Sequence, residues 1–197
     1  MDKKQLRQQV ISKRKALTTV EHTVASSLIL EHLKEIPEFK FARAIAGFVA
    51  FRNEVATKEI LEMILSAKIA LFLPRIDPST RTMQFYHIND LSQLIKNDMG
   101  ILEPDPEKCL LGDIHLISLV LTPGVAFSKD GYRIGYGGGY YDTFFTRISE
   151  DVARIGLAFD LQLVEIADMP RESHDLPVHR IITETRIMDC THYQKKK

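Results

Sequence analysis

The chain has 197 residues, 45% of them hydrophobic, which is enough to build one α/β domain with a full core. Its 26 basic residues balance 26 acidic ones, which excludes a general electrostatic field for nucleic acid or an acidic membrane and leaves the work to local charge. Cys109 and Cys190 stand far apart, outside any C-x-x-C, so neither a disulfide framework nor a structural zinc site is expected. MDKKQLRQQV carries no apolar leader region and no run approaches membrane-spanning length, so the expectation is a soluble cytoplasmic protein.

From Asp2 to about Leu17 the chain is polar but periodic, as a helix. Leu6, Val10 and Leu17 line one stripe, and Lys3, Arg7 and Arg14 line a second beside it. These cations either form a solvated helix surface or rim an anion-binding cleft. Thr18-x-x-Glu21 is a capping-box pattern, so a second helix is expected from Val20 to Glu35, stopped by Ile36-Pro37 and packed through Val24, Leu28 and Leu33. Ala44 to Ala50 reads as a buried strand that ends in the polar Arg52-Asn53-Glu54. Ile60, Leu61, Ile64 and Leu65 have helical spacing, and Lys68 to Leu73 returns as a strand capped by Pro74-Arg75, which completes a βαβ unit.

Met83 to His87 is expected as a short hairpin strand after a turn at DPSTRT, and Asp90 to Lys96 as a brief helix. Gly100 to Pro104 then crosses back. His115 to Leu121 is a buried strand closed by Thr122-Pro123-Gly124. Beyond the glycine-rich segment, Val152 to Phe159 is another strand, Leu161 to Ala167 an amphipathic helical turn or two, and His179 to Thr183 a final strand. The Lys195 to Lys197 tail is expected to fray.

The stretch Leu121 to Asp142, LTPGVAFSKDGYRIGYGGGYYD, holds six of the chain's ten glycines. Gly135, Gly137, Gly138 and Gly139 leave a nearly bare backbone whose N–H groups can approach and cradle an anion. Tyr140, Tyr141, Phe144, Phe145 and Ile148 are helically spaced, so the loop opens a helix; Arg133 precedes the glycines and Asp142 follows them. The Rossmann spacing fails at Tyr140, and no Gly-Lys pair supplies a Walker motif. A flexible turn between strand and helix is the plain alternative.

Other candidates carry two readings each. Asp142 is a first-turn helix acid or a Mg²⁺ ligand, and Asp175, beside His174, is a loop residue or a second carboxylate. Glu54 caps the following helix or sets its two acceptor oxygens against the donors of a flat heterocycle. Tyr140 and Tyr141 divide between packing and facing a ring-bearing ligand. No serine-nucleophile motif is present.

PGVAFSKDGYRIGYGGGYYD, together with Lys3 to Arg7, FRNEV, Leu73-Pro74-Arg75, Gly100 to Pro104 and His174-Asp175, resembles the 5-formyltetrahydrofolate cyclo-ligase family over most of the chain. The resemblance implies a single α/β domain over residues 1–197, a layered fold with a mixed, largely parallel central sheet flanked by helices. It implies ATP as co-substrate at Lys3, Lys4, Gln5, Leu6 and Arg7 and at Arg133, Ile134, Gly135, Tyr136, Gly137, Gly138, Gly139, Tyr140 and Tyr141, with Arg133 catalytic. It places Mg²⁺ on Asp142 and Asp175. The folate is expected at Val49 and Glu54, bordered by Tyr136, Gly137, Gly138, Gly139 and Tyr140. Some members carry a basic residue inside the glycine loop; here Tyr136 and Gly138 stand there, so the phosphate charge falls to Arg133, the N-terminal helix and Mg²⁺. The expected partners are the folate and ATP, with no nucleic acid and no membrane, and the expected assembly is a monomer or weak homodimer. Two rivals are a sugar-phosphate isomerase, which would need no ATP, and a folate- or nucleotide-binding module without turnover.

Overall fold

The computed structural model describes residues 2–77, 79–80 and 82–194, excluding the side chains of 193 and 194. Asp2 caps helix α1 (Lys3–Lys15) by accepting from the Gln5 N–H at 2.7 Å, while Gln5 returns a bond to the Asp2 N–H. Thr18 and Glu21 cap α2 (Thr19–Glu35) in the same reciprocal way. Pro37 opens the short α3 (Pro37–Lys40). Strand β1 (Ala44–Ala46), helix α4 (Lys58–Ser66) and strand β2 (Ala70–Asp77) form the expected βαβ unit, since β1 and β2 pair in parallel.

β2 turns back into β3 (Thr82–Ile88), and a two-stranded ribbon follows from β4 (Leu94–Lys96) and β5 (Leu102–Pro104). β6 (Leu110–Leu111) precedes β7 (Leu119–Thr122), which leads into β8 (Ala126–Ser128) and β9 (Arg133–Ile134). The chain continues through α5 (Tyr140–Phe145), β10 (Ala153–Leu157), β11 (Leu163–Val164), β12 (Arg180–Ile182), β13 (Ile187–Asp189) and α6 (Thr191–Gln194).

The main sheet runs β13-β12-β10-β7-β1-β2-β3-β6, parallel from β12 to β2 and antiparallel at both edges. Its central strands are mostly apolar because both faces are covered. Alternation divides them between two cores: Ile45, Leu71 and Leu119 face α2 and α4, whereas Ala46, Phe72 and Val120 face α5. A smaller sheet, β11-β8-β9, carries α1 through a third core of Leu6, Val10, Val125, Ala126 and Ile134. Phe127, fully buried on β8, lies between Gly124 and Gly156, and a Cβ at either glycine would meet its ring at 2.6 Å.

Several local expectations need correction. Val24 and Leu28 are exposed, at 53% and 44%; α2 packs through Ser26, Ile29, Leu30 and Leu33 instead. β1 stops at Ala46, short of Ala50. Lys68 adopts φ 59° in a turn, so β2 starts at Ala70, and it runs through Pro74 because β1 flanks only residues 70–72 and leaves one side without a ladder partner there. Asp90 caps a single 3₁₀ turn, Leu91–Gln93, before β4, where a helix was expected. His115 and Leu116 belong to a 3₁₀ turn and stay exposed, so β7 is shorter than the apolar run. Leu161 to Ala167 divides into two 3₁₀ turns around β11, and β13 follows β12, which is therefore not the last strand. Residues 195–197 lie outside the described part of the chain. Among the described residues no helix is long and apolar enough to cross a membrane.

Candidate active site

A cleft of about 520 Å³ opens beyond the C-terminal ends of β1, β2 and β7, with α1, β9 and the glycine loop forming its far side. Lys3, Arg7, Val49, Glu54, every residue from Arg133 to Asp142, and Asp175 line it. Lys4, Gln5 and Leu6 are not among its lining residues. Lys4 is exposed, Gln5 is engaged in the Asp2 cap, and Leu6 is 4% exposed within the core beneath α1.

One end of the cleft is built for anions. Arg7 Nε donates to the Gly135 carbonyl at 2.8 Å and so lies over the glycine loop. Gly137 at φ 109° and Gly139 at φ 68° hold conformations that other residues resist, and the turn they make exposes the backbone. Among the described residues, no backbone N–H from 135 to 139 finds a protein acceptor. Five adjacent donors thus face solvent beside two cations. Lys3 Nζ bonds Asp175 Oδ2 at 2.8 Å and approaches Glu172 Oε2 at 3.4 Å. Burial would raise the Asp175 carboxyl, but Lys3 and the Glu172 N–H outweigh it and hold that carboxyl below its ordinary range.

Arg133 is buried, with a side chain 3% exposed. It donates to the Leu176 carbonyl at 2.6 Å and to Asp142 Oδ1 at 3.1 Å, and its guanidinium lies 4.7 Å from the centre of the Phe145 ring. Burial pulls its pKa down, and Asp142 opposes that pull. Asp142 Oδ1 also accepts the Leu176 N–H at 3.0 Å, which ties α5 to the loop that carries Asp175. Asp142 Oδ2 has no hydrogen-bond partner among the described residues. A carboxylate oxygen left free in the cleft lining suits a hard cation that keeps part of its shell for water and phosphate. Glu172, His174 and Asp175 also bring donor atoms within 4.8 Å of one another.

The other end is apolar, walled by Phe48, Val49, Phe51, Ile76, Met83 and Ile101, with Glu54 at its base. Glu54 is 6% exposed, and its Oε2 accepts the Phe51 N–H at 2.9 Å. Burial pushes its carboxyl up to about 7, against the opposing influence of that N–H, Arg14 and Tyr136. Arg52 and Asn53, at φ 50° and 57°, turn the chain from β1 back to place Glu54 there. Tyr141 OH is buried without a hydrogen-bond partner, and burial raises its pKa.

Some of the wall was not anticipated. Asn97, Met99, Ile101, Leu102 and Glu103, on and between β4 and β5, form the outer side of the cleft, although the sequence there reads only as a connection. Asn97 Oδ1 accepts from both the Met99 and Ile101 N–H groups at 3.0 Å, and that turn chemistry is visible only with the backbone in hand. Glu172 and His174 also belong to the anionic end. Arg14 lies directly behind Tyr136, and its place in the Lys3-Arg7-Arg14 stripe was the available signal.

A profile of the 5-formyltetrahydrofolate cyclo-ligase family matches residues 1–184. The chain belongs to that family. Among cyclo-ligase relatives, it is 29% identical to a mitochondrial 5-formyltetrahydrofolate cyclo-ligase of Arabidopsis thaliana, covering 96% of this chain and 76% of that one. It is 27% identical to the Escherichia coli K12 5-formyltetrahydrofolate cyclo-ligase over 90% of this chain and 97% of the relative. The solved structure of the Aquifex aeolicus 5,10-methenyltetrahydrofolate synthetase superposes with a TM-score of 0.83 at 29% identity, covering 96% of this chain and 93% of that one.

Proposed function

We propose that this cyclo-ligase family member converts 5-formyltetrahydrofolate to 5,10-methenyltetrahydrofolate with consumption of ATP, in a Mg²⁺-dependent reaction that releases ADP and phosphate. The observation that carries the reading is the two-ended cleft: free backbone N–H groups and cations at one end, a buried carboxylate in apolar walls at the other. Those ends suit a triphosphate and a flat heterocycle respectively.

The formyl group is an amide, and its oxygen is a poor leaving group. Transfer of the γ-phosphoryl to that oxygen breaks the bond to ADP and makes an imidate phosphate. The substrate's own N10 then attacks the formyl carbon and gives up its proton as the carbon–oxygen bond breaks and phosphate leaves. No protein nucleophile is needed. The chain has to align two ligands and meet the charge on the phosphoryl group. In this reading the 135–139 amides and Arg7 hold phosphate oxygens, Lys3 exchanges Asp175 for a phosphate, and Glu54 accepts from the N–H donors of the folate ring. Asp142 and Asp175 would hold Mg²⁺, which supplies positive charge to the phosphates when bound. Arg133 lines the cleft and bonds Asp142 and Leu176, so in this reading it is the catalytic cation that meets the phosphates and also holds Asp142 in place.

The test is near-ultraviolet absorbance of the purified protein with 5-formyltetrahydrofolate, ATP and Mg²⁺. The methenyl chromophore should grow in the complete mixture and not without ATP or metal. Growth without ATP refutes the activated-oxygen route, and no growth with both ligands bound makes the chain a binding module.

A further inference from the structure

Arg14 is 1% exposed, yet among the described residues no carboxylate lies within ion-pair distance of it. A guanidinium taken from water without such a partner is costly, so its surroundings must explain it. Its Nη2 donates to the Arg52 carbonyl at 2.8 Å and to the Tyr136 hydroxyl, its Nη1 reaches the Gly124 carbonyl only at 3.5 Å, and its Nε is buried with no partner. These contacts join α1 to the loop that turns into Glu54, to the end of β7 and to the glycine loop. Tyr136 in turn interacts with the Glu54 carboxylate.

We propose that Arg14 is a positioning residue for the heterocycle end of the cleft: it fixes the Tyr136 hydroxyl and the Arg52 turn two residues before Glu54, and so sets a buried positive charge that favours the ionised, accepting form of Glu54. The proposal rests on the cyclo-ligase reading for the identity of the heterocycle. Every charged or titratable group facing Glu54 is consistent with this division of labour. Burial disfavours the carboxylate, and the Phe51 N–H, Arg14 and the Tyr136 hydroxyl favour it. Tyr141 stands near it as a neutral phenol, and His22 of α2 touches only the Glu54 backbone carbonyl, at 2.8 Å. Arg52, exposed on the same loop, stacks over Phe51 and Tyr136 at 4.9 and 5.8 Å and faces solvent. Arg14 is therefore the buried cation acting on this carboxylate.

The experiment reads Glu54 directly. Protein labelled with ¹³C at the glutamate side-chain carboxyls is titrated by NMR from pH 5 to pH 9 without ligands, with Glu54→Gln to assign the resonance. In Arg14→Gln the midpoint of the Glu54 signal should rise by about one pH unit, the lower end of what an adjacent charge does, and in Arg14→Lys it should stay within half of that. A folded Arg14→Gln with an unmoved midpoint overturns the proposal, because a purely structural arginine would cost stability and leave the titration alone. If Arg14→Gln does not fold, Tyr136→Phe carries the test: removing the bridging hydroxyl should also raise the midpoint, and no rise overturns the proposal. Equilibrium binding of 5-formyltetrahydrofolate at pH 7 should weaken at least threefold in Arg14→Gln and recover at pH 9. Failure of the wild-type protein to bind that folate would remove the cyclo-ligase reading, while the ligand-free titration would still decide the role of Arg14.

Discussion

Replacing Glu54 by Gln should stabilise the fold at alkaline pH while weakening the folate site. Glu54 is buried, with its carboxyl raised from an ordinary 4.5 to about 7. The folded state therefore binds the proton more tightly than the unfolded chain does. Its contribution is fully present below about pH 4.5 and is lost as pH rises through about 7. A gap of that size corresponds to about 3 kcal/mol, most of it lost between about pH 5 and pH 8. Glutamine has the same shape, can still accept the Phe51 N–H, and carries no charge to desolvate. The stability of Glu54→Gln relative to wild type should thus improve by about 2 to 3 kcal/mol on going from pH 5 to pH 8. Urea unfolding of both proteins at the two pH values gives this double difference, in which the histidines common to both cancel. The same variant should bind 5-formyltetrahydrofolate at least about tenfold more weakly at pH 8, since its amide sets a donor against the donors of the ring. A double difference near zero would refute the argument that burial dominates this carboxyl.

Arg133→Ala should fold but lose about 3 kcal/mol in urea unfolding, because it strips a buried partner from Asp142, and turnover should fall with it; unchanged stability would show that Asp142 is held by Leu176 alone. Gly138→Ala should be close to neutral in thermal unfolding yet cost about 100-fold in turnover, since the new Cβ would sit 2.3 Å from the Tyr140 ring and shift the loop. Lys3→Ala should change stability by less than about 1 kcal/mol, its ion pair being partly solvated, and should raise the KM for ATP about tenfold. An unaltered KM would leave Lys3 a purely structural partner of Asp175.

The sequence exposed the site more clearly than it exposed the small elements around it. The glycine loop, Asp142 and the N-terminal cations are local patterns, so they could be picked out as candidates before the cleft that gathers them was known. Glu54 was legible as a polar residue after an apolar run, but its raised carboxyl depends on burial contributed by distant segments. The β8–β9 hairpin and β11 were hidden because strands of two or three residues carry too little alternation to separate from turns. Val24 and Leu28 look like core residues by type, yet helix rotation is set by Ile29 and Leu33 against the sheet. Arg14 shares its periodicity with Lys3 and Arg7, and only the fold reveals that its end of the helix is enclosed.

The ring of Phe127 acts as a gauge block. It is the piece of the small sheet that enters the space left by Gly156 of β10, on the large one, and by Gly124 in the turn after β7, and neither glycine has a Cβ to push it back. The glycine loop and α1 ride on the small sheet, whereas Glu54 follows a strand of the large one. The span between the glycine loop and Glu54 is consequently metered at a ring that lies outside the cleft lining. Enlarging Gly156, which does not line the cleft, would push on that ring while leaving every lining residue chemically intact.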